Sequence, residues 1–250
     1  MEFMKTRIVG SLMPNDVTLT VAEVENVINQ QAFFDILEIR IDAIKNLTIE
    51  TIEKMIEQLR QEGLRKEVLV TFRTESQGGM RPIEEAAYQN LLQSIAGIKH
   101  VNYIDVEWEQ EKSRSGLVQS IQSQGVEVII SYHNFQETPK IEVLKKTYYH
   151  MSQWGGTHLK IAVMPQSKQD VLTLLQAVSE ASEALSHWVT GISMSSLGVI
   201  SRTAQATFGG ALTYGALSES VAPGQLDVKT LKNVMALYQP FENHTHLPYN

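Results

Sequence analysis

Apolar, β-branched runs alternate along this chain with longer stretches in which apolar residues recur every three or four positions, the two periods that separate strands from amphipathic helices. The strand-like runs fall at residues 7–13, 34–42, 67–74, 102–107, 126–133, 157–164, 187–194 and 211–216. The helix-like stretches fall at 20–31, 49–61, 83–98, 115–124, 140–153, 168–185, 199–208 and 228–238. Eight of each in unbroken alternation predict an α/β protein, a (β/α)8 TIM barrel in which every strand feeds a helix that packs back over the sheet. Gly63 and Gly125 stand where helical patterns stop just before strands, the place for a residue that tolerates a left-handed backbone. No linker, low-complexity tract or repeat of solenoid length interrupts the pattern. Residues 1–250 therefore read as a single domain with a short flexible tail from about 241, and His244 and His246 in that tail are too few for a chelate.

Strand parity shows where the charges go. In Leu37-Glu38-Ile39-Arg40-Ile41-Asp42 the aliphatics share one face and Glu38, Arg40 and Asp42 the other. A barrel packs its aliphatic face on the helices, so the charged face points into the lumen, toward the carboxyl ends of the strands where barrel enzymes react. The same parity turns Arg73, Asp105, Glu107, His133 and Lys160 inward. Any one of them reads equally well as a structural ion pair or a satisfied core histidine. Together they are a catalytic cluster, because ions in a lumen cost several kcal/mol each unless paired, and Val or Ile would serve stability better.

Composition narrows the chemistry. The chain is 43% hydrophobic and 20% charged, enough for a large core. Its net charge of -7, with 28 acidic against 21 basic residues, argues against a nucleic-acid or anionic-membrane surface and confines an anion site to an enclosed pocket. Without cysteine there are no thiolate nucleophiles, disulfides or Cys-ligated metals. No run approaches the roughly 18 apolar residues of a membrane span, and the start lacks a signal-type apolar stretch, so the sequence reads as cytoplasmic. Dinucleotide, P-loop, serine-hydrolase and zincin motifs are all missing.

Lys160, on a strand between Leu159 and Ile161, has its ammonium disfavoured by apolar walls and neighbouring arginines. It is a Schiff-base candidate, the alternative being a lysine that pairs with Glu107 or snorkels outward. His133 is the natural proton shuttle, and Glu107 would fix its tautomer. A competing use of Asp105, Glu107 and Glu109 is a Mg²⁺ site at the barrel mouth, which the interleaved Arg40, Arg73 and Lys160 disfavour.

The ordered segments Gly10-Ser11-Leu12-Met13, residues 36–42, Thr71-Phe72-Arg73 with Gly78-Gly79, residues 104–107, Ser131-Tyr132-His133-Asn134-Phe135 with Thr138-Pro139, residues 160–167, Ser193-Met194, residues 198–202 and Ala222-Pro223-Gly224-Gln225 span nearly the whole chain. In these the chain resembles the type I 3-dehydroquinate dehydratases, the Schiff-base class of the shikimate pathway. The resemblance implies Lys160 as the imine-forming lysine, His133 as general acid/base and Glu107 as its orienting carboxylate. It implies Arg202 for the substrate carboxylate, Glu38, Arg40, Arg73 and Gln225 for the carboxylate and hydroxyls, and Ser11, Met194 and Tyr214 lining the site. No cofactor or metal is expected, nor any nucleic-acid or membrane partner, and the family suggests a homodimer. Val221 stands where many members have Ser, and Tyr214 where Phe is frequent. The loop from Val221 to Gln225 reads either as a lid over the substrate or as simple turn chemistry. Two rivals stay open: another class I Schiff-base aldolase of the TIM-barrel fold, separable by a retro-aldol assay, and a catalytically silent barrel binding a quinate-like ligand or a protein.

Overall fold

A computed structural model of the protein describes residues 6–238. Eight strands, β1 (Arg7–Leu12), β2 (Ile36–Arg40), β3 (Glu67–Thr71), β4 (Tyr103–Glu107), β5 (Glu127–Asn134), β6 (His158–Val163), β7 (Trp188–Ser193) and β8 (Leu212–Ala216), alternate with eight helices. The helices are α1 (Val21–Gln30), α2 (Ile49–Gln61), α3 (Glu85–Ile95), α4 (Ser115–Gln122), α5 (Ile141–Ser152), α6 (Lys168–Ala184), α7 (Val199–Thr203) and α8 (Val228–Ala236). All neighbouring strands pair in parallel, running from β7 through β6, β5, β4, β3, β2 and β1 to β8. The expected (β/α)8 barrel is thus present, and the tail with His244 and His246 lies outside the described residues.

The helices begin where local chemistry satisfies their free amides. Thr20 and Ser167 close capping boxes with Glu23 and Asp170, and Thr48 and Asp227 accept from the amides of Thr51 and Thr230. Gly63 and Gly125 have φ of 100° and 83°, the left-handed turn that brings the chain out of α2 and α4 toward the next strand. Outward strand residues such as Leu37, Ile39, Val68, Val70, Ile104, Val106, Ile130, Leu159 and Ile161 merge with helix residues into one buried cluster. Burying each such side chain contributes about 1.5–3 kcal/mol, so this layer fixes strand register and thereby which residues face the lumen. Inside, Val9, Ile36, Leu69, Tyr103, Ile129, Leu212 and Tyr214 form a second, smaller apolar layer beneath the site.

The barrel closes by a short seam. Between β7 and β8 the Ala211 amide donates to the Val189 carbonyl at 2.8 Å, and the Leu212 amide to the Thr190 hydroxyl at 3.0 Å. Two residues on from Val189, the carbonyl of Gly191 accepts instead from the Gln205 side chain at 2.6 Å. This same residue breaks the helix expected over 199–208: α7 ends at Thr203 and a 3-10 turn follows over Gln205–Phe208.

Candidate active site

Each barrel element contributes what its parity dictates. β1 supplies Ser11, β2 Glu38 and Arg40, the end of β3 Arg73, β5 His133, β6 Lys160, the end of β7 Met194, α7 Arg202, β8 Tyr214 and the following loop Gln225. All ten line one cavity at the carboxyl ends of the strands, together with Gln77, Phe135, Ala162, Val221 and Ala222 among others.

The charges in this cavity are not equivalent. Arg40 is held in a two-pronged pair by Asp42, at 2.8 and 2.9 Å. Burial would raise the Asp42 carboxyl, but Arg40 and the amides of Met80 and Arg73 carry it below the usual range. Arg73 is clamped by Asp105 at 3.0 Å and Glu107 at 2.9 Å; burial opposes its charge, and the two carboxylates hold it above its ordinary value. Glu38 accepts from the hydroxyls of Ser11 at 2.6 Å and Thr71 at 2.9 Å. Arg202 is 1% exposed and has no acidic partner among the described residues, its guanidinium meeting the carbonyls of Pro223 at 3.0 Å and Tyr214 at 3.5 Å. Burial draws it down to about 10, which leaves it cationic at neutral pH. A buried, unneutralised cation on a cavity wall is a site for an anionic ligand group.

Lys160 lies 4.0 Å above the centre of the Tyr214 ring. Burial draws its amine down to about 8, with Arg73 and Arg40 pulling the same way and Asp105 and Glu38 opposing them. Burial, then Arg73, Lys160 and Arg40, push His133 well below its ordinary value, so its imidazole is neutral at pH 7. A nucleophilic amine and a neutral imidazole therefore share one wall of the cavity.

One expected arrangement is replaced. Glu107 does not orient His133: one oxygen accepts from Arg73 and the Thr74 amide, both at 2.9 Å, and the other from the Thr74 hydroxyl at 2.7 Å. Glu107 lies behind the cavity wall as the counter-charge of Arg73. The partner of His133 is Gln77, whose Oε1 lies 3.2 Å from Nδ1. Gln77 sits in a 3-10 turn (Glu75–Gln77), where no strand or helix period exposes it to pattern reading. Asp105 is likewise a buried partner, bonded by Arg73 and by the Ser131 hydroxyl at 2.6 Å. Glu109 lies against Arg114 and Lys112, so the carboxylate row considered for Mg²⁺ is dispersed, and no metal-holding cluster of His, Asp and Glu occurs among the described residues.

The loop after β8 lies across the cavity. Gln225 donates to Ser11 at 3.3 Å and accepts from the Val221 amide at 2.9 Å, and the Pro223 carbonyl accepts from the Ser195 amide at 3.1 Å.

Residues 9–242 match the family model described as Type I 3-dehydroquinase. The 3-dehydroquinate dehydratase of Staphylococcus haemolyticus is 43% identical over 236 residues, covering 92% of this chain and 97% of that protein. Among solved structures, the 3-dehydroquinate dehydratase of Geobacillus kaustophilus superposes with a TM-score of 0.87 at 28% identity, covering 96% of this chain and 93% of that one. The type I enzyme of Clostridium difficile, solved with covalently modified comenic acid, superposes with a TM-score of 0.84 at 32% identity, over 94% and 92% of the two chains. With a family match over almost its whole length and a relative of this identity and coverage, the chain belongs to the type I 3-dehydroquinase family.

Proposed function

We propose that the protein dehydrates 3-dehydroquinate to 3-dehydroshikimate through an imine on Lys160, as a hydro-lyase of the shikimate pathway. The observation that carries this reading is a buried lysine whose amine is drawn down to about 8, beside a neutral His133 and an Arg202 that lacks an acidic partner among the described residues. Arg202 holds the substrate carboxylate, while Glu38, Arg40, Arg73 and Gln225 address its hydroxyls and carboxylate, and Ser11, Met194 and Tyr214 shape the wall. The Lys160 amine adds to the C3 carbonyl, and water leaves to give the protonated imine. This cation withdraws electrons from C2, and His133 removes the C2 proton. The electron pair then expels the C1 hydroxyl, which leaves as water with the proton carried by His133. Hydrolysis of the product imine restores the amine, so the net change is loss of one water without a redox step. Glu107 supports the reaction through Arg73, as its buried counter-charge.

The protein acts in the cytoplasm as a homodimer in this reading, which rests on family likeness; light scattering of the purified chain tests the dimer. The test of the reaction is incubation with 3-dehydroquinate and borohydride, then peptide mapping by mass spectrometry. The label is expected on the peptide containing Lys160. A label on another lysine, or none while turnover is full, removes the imine assignment.

A further inference from the structure

Side chains from the even-numbered strands meet at one height in the lumen. Tyr214 on β8 pairs with Val9, which pairs with Ile36 on β2, and the shear of the barrel advances each step of two strands by about two residues, here to Glu38. The same step leads from Glu38 through Leu69 and Tyr103 to Asp105 on β4, and from Asp105 through Ile129 and His158 to Lys160 on β6. Glu38, Asp105, Lys160 and Tyr214 thus form one layer, with Tyr214 opposite Asp105 and Lys160 opposite Glu38. Both oxygens of Glu38 are taken, by Ser11 and Thr71. Asp105 Oδ1 takes the Arg73 guanidinium at 3.0 Å and the Ser131 hydroxyl at 2.6 Å, whereas its Oδ2 is buried with no hydrogen-bond partner among the described residues. The Tyr214 hydroxyl is buried and unpartnered in the same sense. Burial, with Glu38 and Asp105, holds this phenol well above its ordinary value, so it keeps a proton to donate. Where a buried donor and a buried acceptor face each other without bonding, an internal water is the usual partner of both.

We propose that one internal water joins Tyr214 Oη to Asp105 Oδ2 beneath Lys160, accepting from the phenol and donating to the carboxylate, and that Tyr214 thereby tunes the Lys160 amine. This deepens the reading of Lys160 as the imine-forming residue and rests on it. Tyr214 is a positioning residue in this role, acting on Lys160 through Asp105. Asp105 is the leading charge that favours the Lys160 ammonium. A carboxylate oxygen without a donor directs its full charge at the nearest cation, while one that accepts from a water and phenol has part of that charge compensated. The hydroxyl therefore works with burial, Arg73 and Arg40 to free the amine, against Asp105 and Glu38. His133 on β5 is neutral, Thr190 on β7 and Ser11 on β1 are uncharged, and Arg202 reaches the same cavity from α7. A phenylalanine would offer the ammonium the same ring face that Lys160 meets at 4.0 Å, so the effect belongs to the hydroxyl.

The test compares wild type, Tyr214→Phe and Asp105→Asn by crystallography and by trace acetylation of Lys160 with acetic anhydride across pH, located by peptide mass mapping. This labelling reads the amine without turnover. Wild-type density is expected for a water within hydrogen-bond distance of both Tyr214 Oη and Asp105 Oδ2. Tyr214→Phe should raise the pH midpoint of Lys160 labelling by about half a unit or more, because the uncompensated carboxylate stabilises the ammonium. The acidic limb of kcat/KM should move with it, giving a several-fold deficit at pH 7 that fades toward the alkaline plateau. Asp105→Asn should move the midpoint the other way, and adding Tyr214→Phe to it should then change nothing more. The near-isosteric Tyr214→Phe decides the matter even if Asp105→Asn does not fold. A floor without that water, or a Tyr214→Phe midpoint that is unchanged or lower, would overturn the proposal. Failure of 3-dehydroquinate and borohydride to label Lys160 would instead strike the imine reading and leave the titration result standing.

Discussion

A lysine that titrates near neutrality makes its own pH signature. Below about 8 the Lys160 amine is mostly protonated and cannot attack a ketone, so kcat/KM should rise with pH through an apparent value near 8 and then level off. A steady-state profile of the free enzyme checks this, and a limb centred above 10 would mean that burial does not tune the amine. His133 fails differently from Lys160 when removed. Lys160→Met should abolish label and turnover together, whereas His133→Ala should lower kcat by roughly 10²–10⁴ while the amine still reacts. Intact-mass spectrometry of His133→Ala with substrate should then find accumulated covalent adduct; turnover near wild type would place the proton shuttle elsewhere. The two residues differ in how visible their surroundings were. Inward facing of Lys160, His133 and Glu107 follows from strand parity, but which inward groups touch depends on strand tilt and register. Hence Glu107 could be placed in the lumen from sequence yet paired with the wrong neighbour.

At the level of elements, the turn after β3 carries more of the site than its length suggests. A methyl group on Gly79 would stand 1.9 Å from the Arg73 carbonyl oxygen, a backbone atom that cannot step aside. Gly79→Ala should therefore displace the turn holding Gln77 and lower both activity and Tm, by an amount on the order of the 1–3 kcal/mol of an overpacked core. Thermal unfolding alongside kinetics checks this; an unaltered Tm with full activity would mean that the turn relaxes freely. The existence and order of all strands and helices were legible because period 2 and period 3.6 are strong signals over such lengths. Their ends were not. The run at 67–74 looks like strand throughout, yet β3 stops at Thr71 because the amides of Arg73 and Thr74 go to the carboxylates of Asp42 and Glu107. The stretch 199–208 keeps a helical pattern, yet the Gln205 side chain is drawn to Gly191. Side-chain acceptors from distant strands decide both cases, and periodicity does not contain them.

For the molecule as a whole, the closed end of the barrel matters to acid stability. Beneath the apolar layer, His158 packs edge-on against Tyr103 at 5.8 Å and tilted against Trp188 at 6.5 Å. Burial, with Arg7 nearby, pulls it down to about 4. Between pH 6.5 and 4 the unfolded chain binds a proton that the folded chain refuses, so this group's contribution is complete above about 6.5 and lost as pH falls through about 4. The loss is on the order of 3 kcal/mol. His133 is shifted in the same direction, so the informative quantity is the difference between proteins. His158→Phe should flatten the decline of Tm between pH 6.5 and 4 relative to wild type, and parallel curves would show that His158 is not excluded from protonation.

The seam between β7 and β8 bears on how the molecule breathes. Every other pair of adjacent strands is joined by a ladder, whereas here one isolated bridge between Val189 and Gly210 and the Thr190 hydroxyl carry the closure, with Arg202 lying beside it. The Thr213 hydroxyl donates to the Arg202 carbonyl at 2.8 Å, which ties this arginine to the β8 edge. Local openings of the barrel therefore concentrate at this line, and amide deuteration should reach Leu212 sooner than the interior amides of β2 or β6. Arg202 already bridges α7, β8 and the Pro223 carbonyl, and an anion seated on it would add a charged partner to that bridge. Occupancy of the site would then register as slowed deuteration at Leu212 and Thr213, so that the wall of the barrel reports on its contents without any chemistry taking place.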